Sequence, residues 1–318
     1  MNVPIIDVAP LLRDDPRGWR EVEQALLDAH STIGFSVLVN HGVPRNVTND
    51  LFFVSRCFHA LPEAQKMALR YGANLRGFLP LNTSTLSRST LGAARKPNHS
   101  DSFVVLDDLD ASLRDRWADS TMGGHQMWPQ DVAGFEASAR RYRAALSQLG
   151  MYVAPCFASI MGLPRNGLDR YFTPHNPILR LLHYPALPQR SPDEFGSAPH
   201  TDYGCLTFVA QDDVGGLQVQ AADGGWFDVP YIEQSLVLNT GQVMATWSRG
   251  LIKATPHRVI NHPDRDRYSI AFFYDCGLDT PIAPLMPAQP ACARCSEPAK
   301  LYGDHLDSIL RTNYAFTA

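Results

Sequence analysis

Beyond residue 171 the helical periodicity of this chain gives way to short apolar runs, and that change limits the fold more than any other feature. Runs at 178–184, 205–211, 217–221, 226–229, 236–239, 243–247, 257–261 and 268–275 are separated by turn formers such as Gly, Pro, Asn and Asp. Short strands spaced this closely, each followed by a reversal, build a sandwich or a jelly roll. The last run alternates plainly: Arg267, Ser269, Ala271 and Phe273 share one face of a strand.

The N-terminal half carries the other period. After a strand at 3–7, Asp15 can cap a helix with Pro16 at its first position. Val22, Leu26, Ala29 and Ile33 then recur at helical spacing until Gly34. A strand at 35–39 follows, then a helix with Val47, Leu51, Val54 and Phe58 on one side, ending before Pro62. Residues 76–101 read as loop, 103–106 as a strand and 107–128 as irregular chain. From about Asp131 to Met161, apolar residues step by three or four from Phe135 through Tyr142 and Val153 to Ile160, predicting one long helix stopped by Gly162 and Pro164. Leu306, Ile309 and Leu310 suggest a short terminal helix. The expected class is α+β: a double-stranded β-helix (jelly roll, cupin-like) over about 175–278, buttressed by N-terminal helices that include the long one. The expected division is 1–125 and 126–318, within one compact unit.

Two imidazoles and a carboxylate stand where such strands could join them. His200 and Asp202 lie in Ala198-Pro199-His200-Thr201-Asp202-Tyr203-Gly204, and His257 in Thr255-Pro256-His257-Arg258-Val259. On a strand, residues i and i+2 share a face, so His200 and Asp202 are predicted to point together and Thr201 away. Two His and one carboxylate, with positions left over, form the facial set of non-haem Fe(II) oxygenases. A bare His-x-Asp is weak in a chain with eleven histidines. Arg267 and Ser269 strengthen it, because a guanidinium and a hydroxyl aimed into one cavity make a fork for a carboxylate. Tyr184, ending Leu181-Leu182-His183-Tyr184, offers a third polar group.

With these residues the chain resembles the isopenicillin-N-synthase-like branch of the Fe(II)/2-oxoglutarate-dependent dioxygenases over nearly its whole length. Val3-Pro4-Ile5-Ile6-Asp7, Gly34-Phe35, Asn40-His41-Gly42-Val43-Pro44, Gly215-Gly216-Leu217-Gln218-Val219 and Asn239-Thr240-Gly241 carry the likeness beyond the segments already quoted. The resemblance implies that His200, Asp202 and His257 hold Fe(II). It implies that Arg267, Ser269 and Tyr184 bind the far carboxylate of 2-oxoglutarate, and that O2 is the oxidant. Oxidation of an unactivated C–H of a small secondary metabolite or amino-acid-derived compound would follow, with succinate and CO2 released. Hydroxylation is the default; desaturation, cyclisation or demethylation needs only a different radical fate. Asp202 disfavours halogenation, which needs a small residue there. Two other readings stay open: an oxidase of the isopenicillin N synthase type that dispenses with 2-oxoglutarate, and a non-catalytic binding protein on the same fold. Leu182 and Ser100-Asp101-Ser102 depart from patterns common among relatives and leave the substrate open.

Arg180 shares strand parity with Tyr184, and Phe273 shares a face with Arg267; both are candidate substrate contacts, with Phe103 and Trp247 as further ones. His99 and His125 sit in irregular regions that could overhang a site. His41 and His262 read as turn residues, and His183 alternates to the opposite face from Tyr184. Charge excludes one class of partner: 28 basic against 32 acidic residues give a net charge of −4 without a basic patch, so nucleic acid is not expected. Neither a membrane span nor an export signal is visible, and six cysteines lack a disulfide-framework spacing. A cytoplasmic monomer acting on a small molecule is therefore expected. Cys292 and Cys295 form a lone C-x-x-C, read as incidental because no second pair completes a zinc site.

Overall fold

The computed structural model describes residues 2–13, 15–85, 96–286 and 299–314. In chain order the first half forms β1 (Ile5–Asp7), α1 (Ala9–Leu12), α2 (Pro16–Thr32), β2 (Phe35–Val39), α3 (Arg45–His59), α4 (Glu63–Met67), β3 (Gly77–Leu79), β4 (Asp101–Leu106), α5 (Ala111–Trp117) and α6 (Phe135–Ile160). The second half forms β5 (Asn176–Tyr184), β6 (Ser197–His200), β7 (Leu206–Gln211), β8 (Leu217–Gln220), β9 (Trp226–Asp228), β10 (Leu236–Thr240), α7 (Gln242–Trp247), β11 (His257–Val259), β12 (Arg267–Asp275) and α8 (Tyr302–Asn313).

Two sheets face each other. The larger has eight strands in the order β1-β2-β10-β7-β12-β5-β4-β3, and the smaller has four in the order β6-β11-β8-β9. Phe35, Val37, Leu182, Leu217, Val219, Val237 and Val259 fill the space between them. The outer face of the larger sheet packs on α2, α3 and α6. Leu146, Val153 and Phe157 of α6 are fully buried there, each worth about 1.5–3 kcal/mol. Gly150 lets α6 approach closely, because a Cβ at that point would lie 2.6 Å from the Tyr274 ring. The helix start at Asp15 is as anticipated: its carboxylate accepts the Arg17 amide at 3.0 Å, with Pro16 beside it.

Several local expectations are overturned. Residues 243–247 belong to α7, not to a strand. Their apolar run is short enough to fit either, and the tertiary setting decides, since the first amides of the helix (Gln242 and Val243) donate to the Asp202 and Gly204 carbonyls at 2.9 and 3.0 Å. The irregular stretch 107–128 contains α5, whose cap Asp110 accepts the Ser112 and Leu113 amides. The loop at 76–101 contains β3, paired with β4 but too short to show a period; 86–95 of it lie outside the described residues, as do Cys292 and Cys295. The long helix begins at Phe135 rather than Asp131. Among the described residues no helix is long and apolar enough to cross a membrane.

Candidate metal centre

His200 ends β6, His257 opens β11, and the two are direct partners in the antiparallel pair. Their ring centroids are 4.3 Å apart. Asp202 lies past the end of β6, so strand alternation alone does not place it. The loop is held from beneath by the α7 amides, and the carboxylate is fixed by two donors on one oxygen. Thr207 Oγ1 and Asn239 Nδ2 each donate to Asp202 Oδ2 at 2.6 Å. Oδ1 is left 3.8 Å from His200 Nε2 and 3.7 Å from His257 Nε2. The remaining ring nitrogens face backbone carbonyls, His200 Nδ1 that of Ala198 at 2.8 Å and His257 Nδ1 that of Thr255 at 3.2 Å. A carbonyl only accepts, which assigns the proton to Nδ1 and leaves each Nε2 lone pair for a cation.

Electrostatics agree with that assignment. Burial pushes the Asp202 carboxyl up, but the adjacent His257 and His200 with the Thr207 and Asn239 bonds outweigh it and hold the group below its ordinary value. Burial, then the neighbouring His257, pulls His200 down to about 4. An ionised carboxylate and an uncharged imidazole are what a ferrous ion takes, and among the described residues no cysteine joins the cluster.

Two cavities meet at this centre. One, of about 80 Å³, is lined by Arg267, Ser269, Tyr184, Asn239 and His257 among others. The other, of about 90 Å³, is lined by Val104, Ile178, Tyr203, Asp275 and the α8 side of the molecule. Arg180, Ser197, His200, Asp202 and Phe273 belong to both walls. In the first cavity Arg267 is almost fully buried; its Nη2 donates to Gln211 Oε1 at 3.3 Å and its guanidinium lies 4.9 Å from the Tyr184 ring centroid. Its Nε and Nη1 have no partner among the described residues. Unpaired donors on a buried cation are costly, and an entering carboxylate would relieve that cost through a fork made of Nη2 with either Nε or Nη1. In the second cavity Asp275 accepts the Cys205 amide at 2.6 Å and the Tyr302 hydroxyl at 2.7 Å. Burial pushes its carboxyl up to about 7.

The pairing of β12 with β5 puts Arg267 opposite Tyr184 and Ala271 opposite Arg180, so the shared face anticipated from alternation exists. Phe103 and Trp247 do not line either cavity. Phe103 pairs with Leu181 and its ring packs on Phe58 and Phe135, while Val104, opposite Arg180, reaches the cavity instead. Trp247 is buried against Tyr171 and Phe172 because α7 turns it away. His125 is an exposed partner of Asp108, and His99 lies outside both walls. His183 faces the opposite side of the sheet, where Asp101 accepts from it at 2.8 Å beside His59. Sequence reasoning misses Thr207, Asn239, Tyr203, Tyr302 and Tyr314 as site residues. Of these, Tyr203 and Asn239 stand in segments that carry the family likeness, His200-Thr201-Asp202-Tyr203-Gly204 and Asn239-Thr240-Gly241, and that is the signal that could have found them.

A profile described as the 2OG-Fe(II) oxygenase superfamily matches residues 175–275, and one described as the non-haem dioxygenase in morphine synthesis N-terminal matches 3–131. The 2-oxoglutarate-dependent dioxygenase citB of Monascus ruber is 31% identical over 296 residues, covering 89% of this chain and 87% of that protein. Homoarginine-6-hydroxylase 2-ODD-C23 of Glycine max is 29% identical, covering 98% and 97%. A full-length Neurospora crassa protein, solved in complex with alpha-KG, superposes with a TM-score of 0.82 at 28% identity, covering 97% of this chain and 96% of its own.

Proposed function

Because the chain belongs to the 2OG-Fe(II) oxygenase superfamily, we propose that His200, Asp202 and His257 hold its Fe(II) and that Arg267, Ser269 and Tyr184 anchor its 2-oxoglutarate. The protein is a non-haem Fe(II)/2-oxoglutarate-dependent dioxygenase acting on a small molecule. When bound, the metal with 2-oxoglutarate and O2 supplies the oxidation of a C–H bond, by default its hydroxylation, with release of succinate and CO2.

The chain's own residues arrange and shield that chemistry. Thr207 and Asn239 keep Oδ1 of Asp202 turned toward the imidazoles, and the Ala198 and Thr255 carbonyls hold the Nδ1 side of each ring, so that both Nε2 atoms face that oxygen. Arg267 receives a carboxylate at a fixed depth, with the Tyr184 ring as its floor. Phe273 and Arg180 stand on the wall between the cavities, where they separate the co-substrate from the substrate. The observation that carries the reading is the buried Arg267 guanidinium with two free donors in the cavity of the His-Asp-His cluster. It favours use of 2-oxoglutarate over the oxidase alternative, in keeping with the alpha-KG complex of the Neurospora crassa protein. The net charge of −4 supports a free small molecule rather than nucleic acid as substrate. The described free thiols Cys57, Cys156, Cys205 and Cys276 suit a cytoplasmic setting, and we read the active unit as a single chain.

Calorimetric titration with Mn(II), then 2-oxoglutarate, tests the assignment. His200→Ala should lose metal binding. Arg267→Ala should keep the metal and weaken 2-oxoglutarate by about 2–5 kcal/mol, as for truncation of a buried charge partner. Retained metal affinity in the first variant, or retained 2-oxoglutarate affinity in the second, refutes it.

A further inference from the structure

The second cavity carries information about what is oxidised, given the assignment of the metal and 2-oxoglutarate above. Among the described residues its wall contains one cation, Arg180, which is half-buried on β5. Nε donates to Ser102 Oγ at 2.9 Å and Nη1 to the Tyr314 hydroxyl at 3.0 Å. Three separate segments thus fix the guanidinium: β4, β5 and the residue that follows α8. Both partners are neutral hydroxyls, and no described residue engages Nη2. A guanidinium that served only to hold the fold together would be expected to find a carboxylate, and among the described residues this one has no such ion pair.

Charge at the centre points the same way. The metal dication and the 2-oxoglutarate dianion offset each other when bound, and Arg267 offsets Asp202. With Asp275 disposed by its burial to keep its proton, Arg180 then remains as a positive charge on this wall, where an unpaired ion is costly and a monoanion restores neutrality. The other acid on this wall, Asp275, has both oxygens engaged by the Cys205 amide and the Tyr302 hydroxyl, which disfavours a cationic substrate end. The rest of the wall is largely apolar, with Val104, Ile178, Phe273, Leu306 and Leu310 around the space beside the metal cluster. We infer that the substrate is a small, mainly apolar monocarboxylate whose carboxylate pairs with the free edge of Arg180. Ser102 and Tyr314 act as positioning residues for that guanidinium.

The test uses the full chain with Mn(II) and 2-oxoglutarate saturating, so that the Arg267 cavity is filled. Benzoate, phenylacetate and hexanoate are titrated calorimetrically beside their primary amides, which keep shape and lose charge. The wild type should bind at least one carboxylate at least tenfold more tightly than its amide. Arg180→Met should bring that ratio to about one, and Tyr314→Phe should lower it severalfold, each read at a 2-oxoglutarate concentration that saturates the variant. A wild type that binds no carboxylate of the set, or prefers the amides, overturns the inference, as does an Arg180→Met variant that keeps the preference. Failure of the wild type to bind 2-oxoglutarate in the preceding titration would instead strike the assignment of the co-substrate site.

Discussion

Asn239→Ala isolates how the chain prepares its metal-binding carboxylate. Asn239 is 2% exposed on β10, and its amide is one of two described donors on Asp202 Oδ2, at 2.6 Å. A hydrogen bond to a charged group contributes about 1.5–3 kcal/mol, so the substitution leaves Asp202 held by Thr207 alone. That loss divides between folding stability and orientation of Oδ1. The orientational share weakens metal affinity roughly 10–100-fold, the usual effect of removing such a support. Mn(II) calorimetry reads the affinity, and thermal melts with and without metal read the stability. Thr207→Val in the same background closes a double-mutant cycle. Because both donors serve one oxygen, the two losses should be strongly non-additive. Wild-type Mn(II) affinity together with a wild-type melt in Asn239→Ala would refute the reasoning.

Two further outcomes concern the wall of the second cavity. The Asp275 carboxyl lies near 7 in the fold against 3.8 ordinarily, so the folded state keeps a proton that the unfolded chain gives up. Its contribution is full below about pH 4 and is lost as pH rises through about 7, by at most about 4 kcal/mol. Asp275→Asn removes that loss, and urea denaturation should show the variant gaining on the wild type between pH 4 and 8; a constant difference would contradict this. Gly204→Ala would drive a Cβ into the Asp275 carboxylate and should lower stability by about 1–3 kcal/mol. A melting temperature equal to the wild type's would show that the backbone at this turn tolerates a side chain after all.

Much of this is readable from one dimension because the relevant periods are local. Alternation along 267–273 places Arg267, Ser269 and Phe273 on one face, and the stripe on α6 marks the buttress of the sheet. Parity also puts Arg180 on the correct side of β5. It fails for Asp202, which lies beyond its strand and is oriented by side chains of β7 and β10. It fails for Phe103 as well, because which face of β4 meets the cavity depends on its register with β5, and the neighbouring Val104 takes that place. Trp247 is misplaced because six residues of α7 are too few to distinguish a helix from a strand by period. Tyr302 and Tyr314 carry no local signal at all; they reach the site only because α8 folds back across it.

The partition formed by Arg180 and Phe273 has an evolutionary reading. Everything on the Arg267 side comes from the two sheets and the turn carrying Asp202, whereas the far side borrows Val104 and the α8 face. Under the proposed roles, part of the target-facing wall thus lies in stretches of the gene that contribute nothing to the reagent side. A lineage can therefore retool what is oxidised by editing the tail and one edge of the sheet, while the oxidising apparatus is inherited intact.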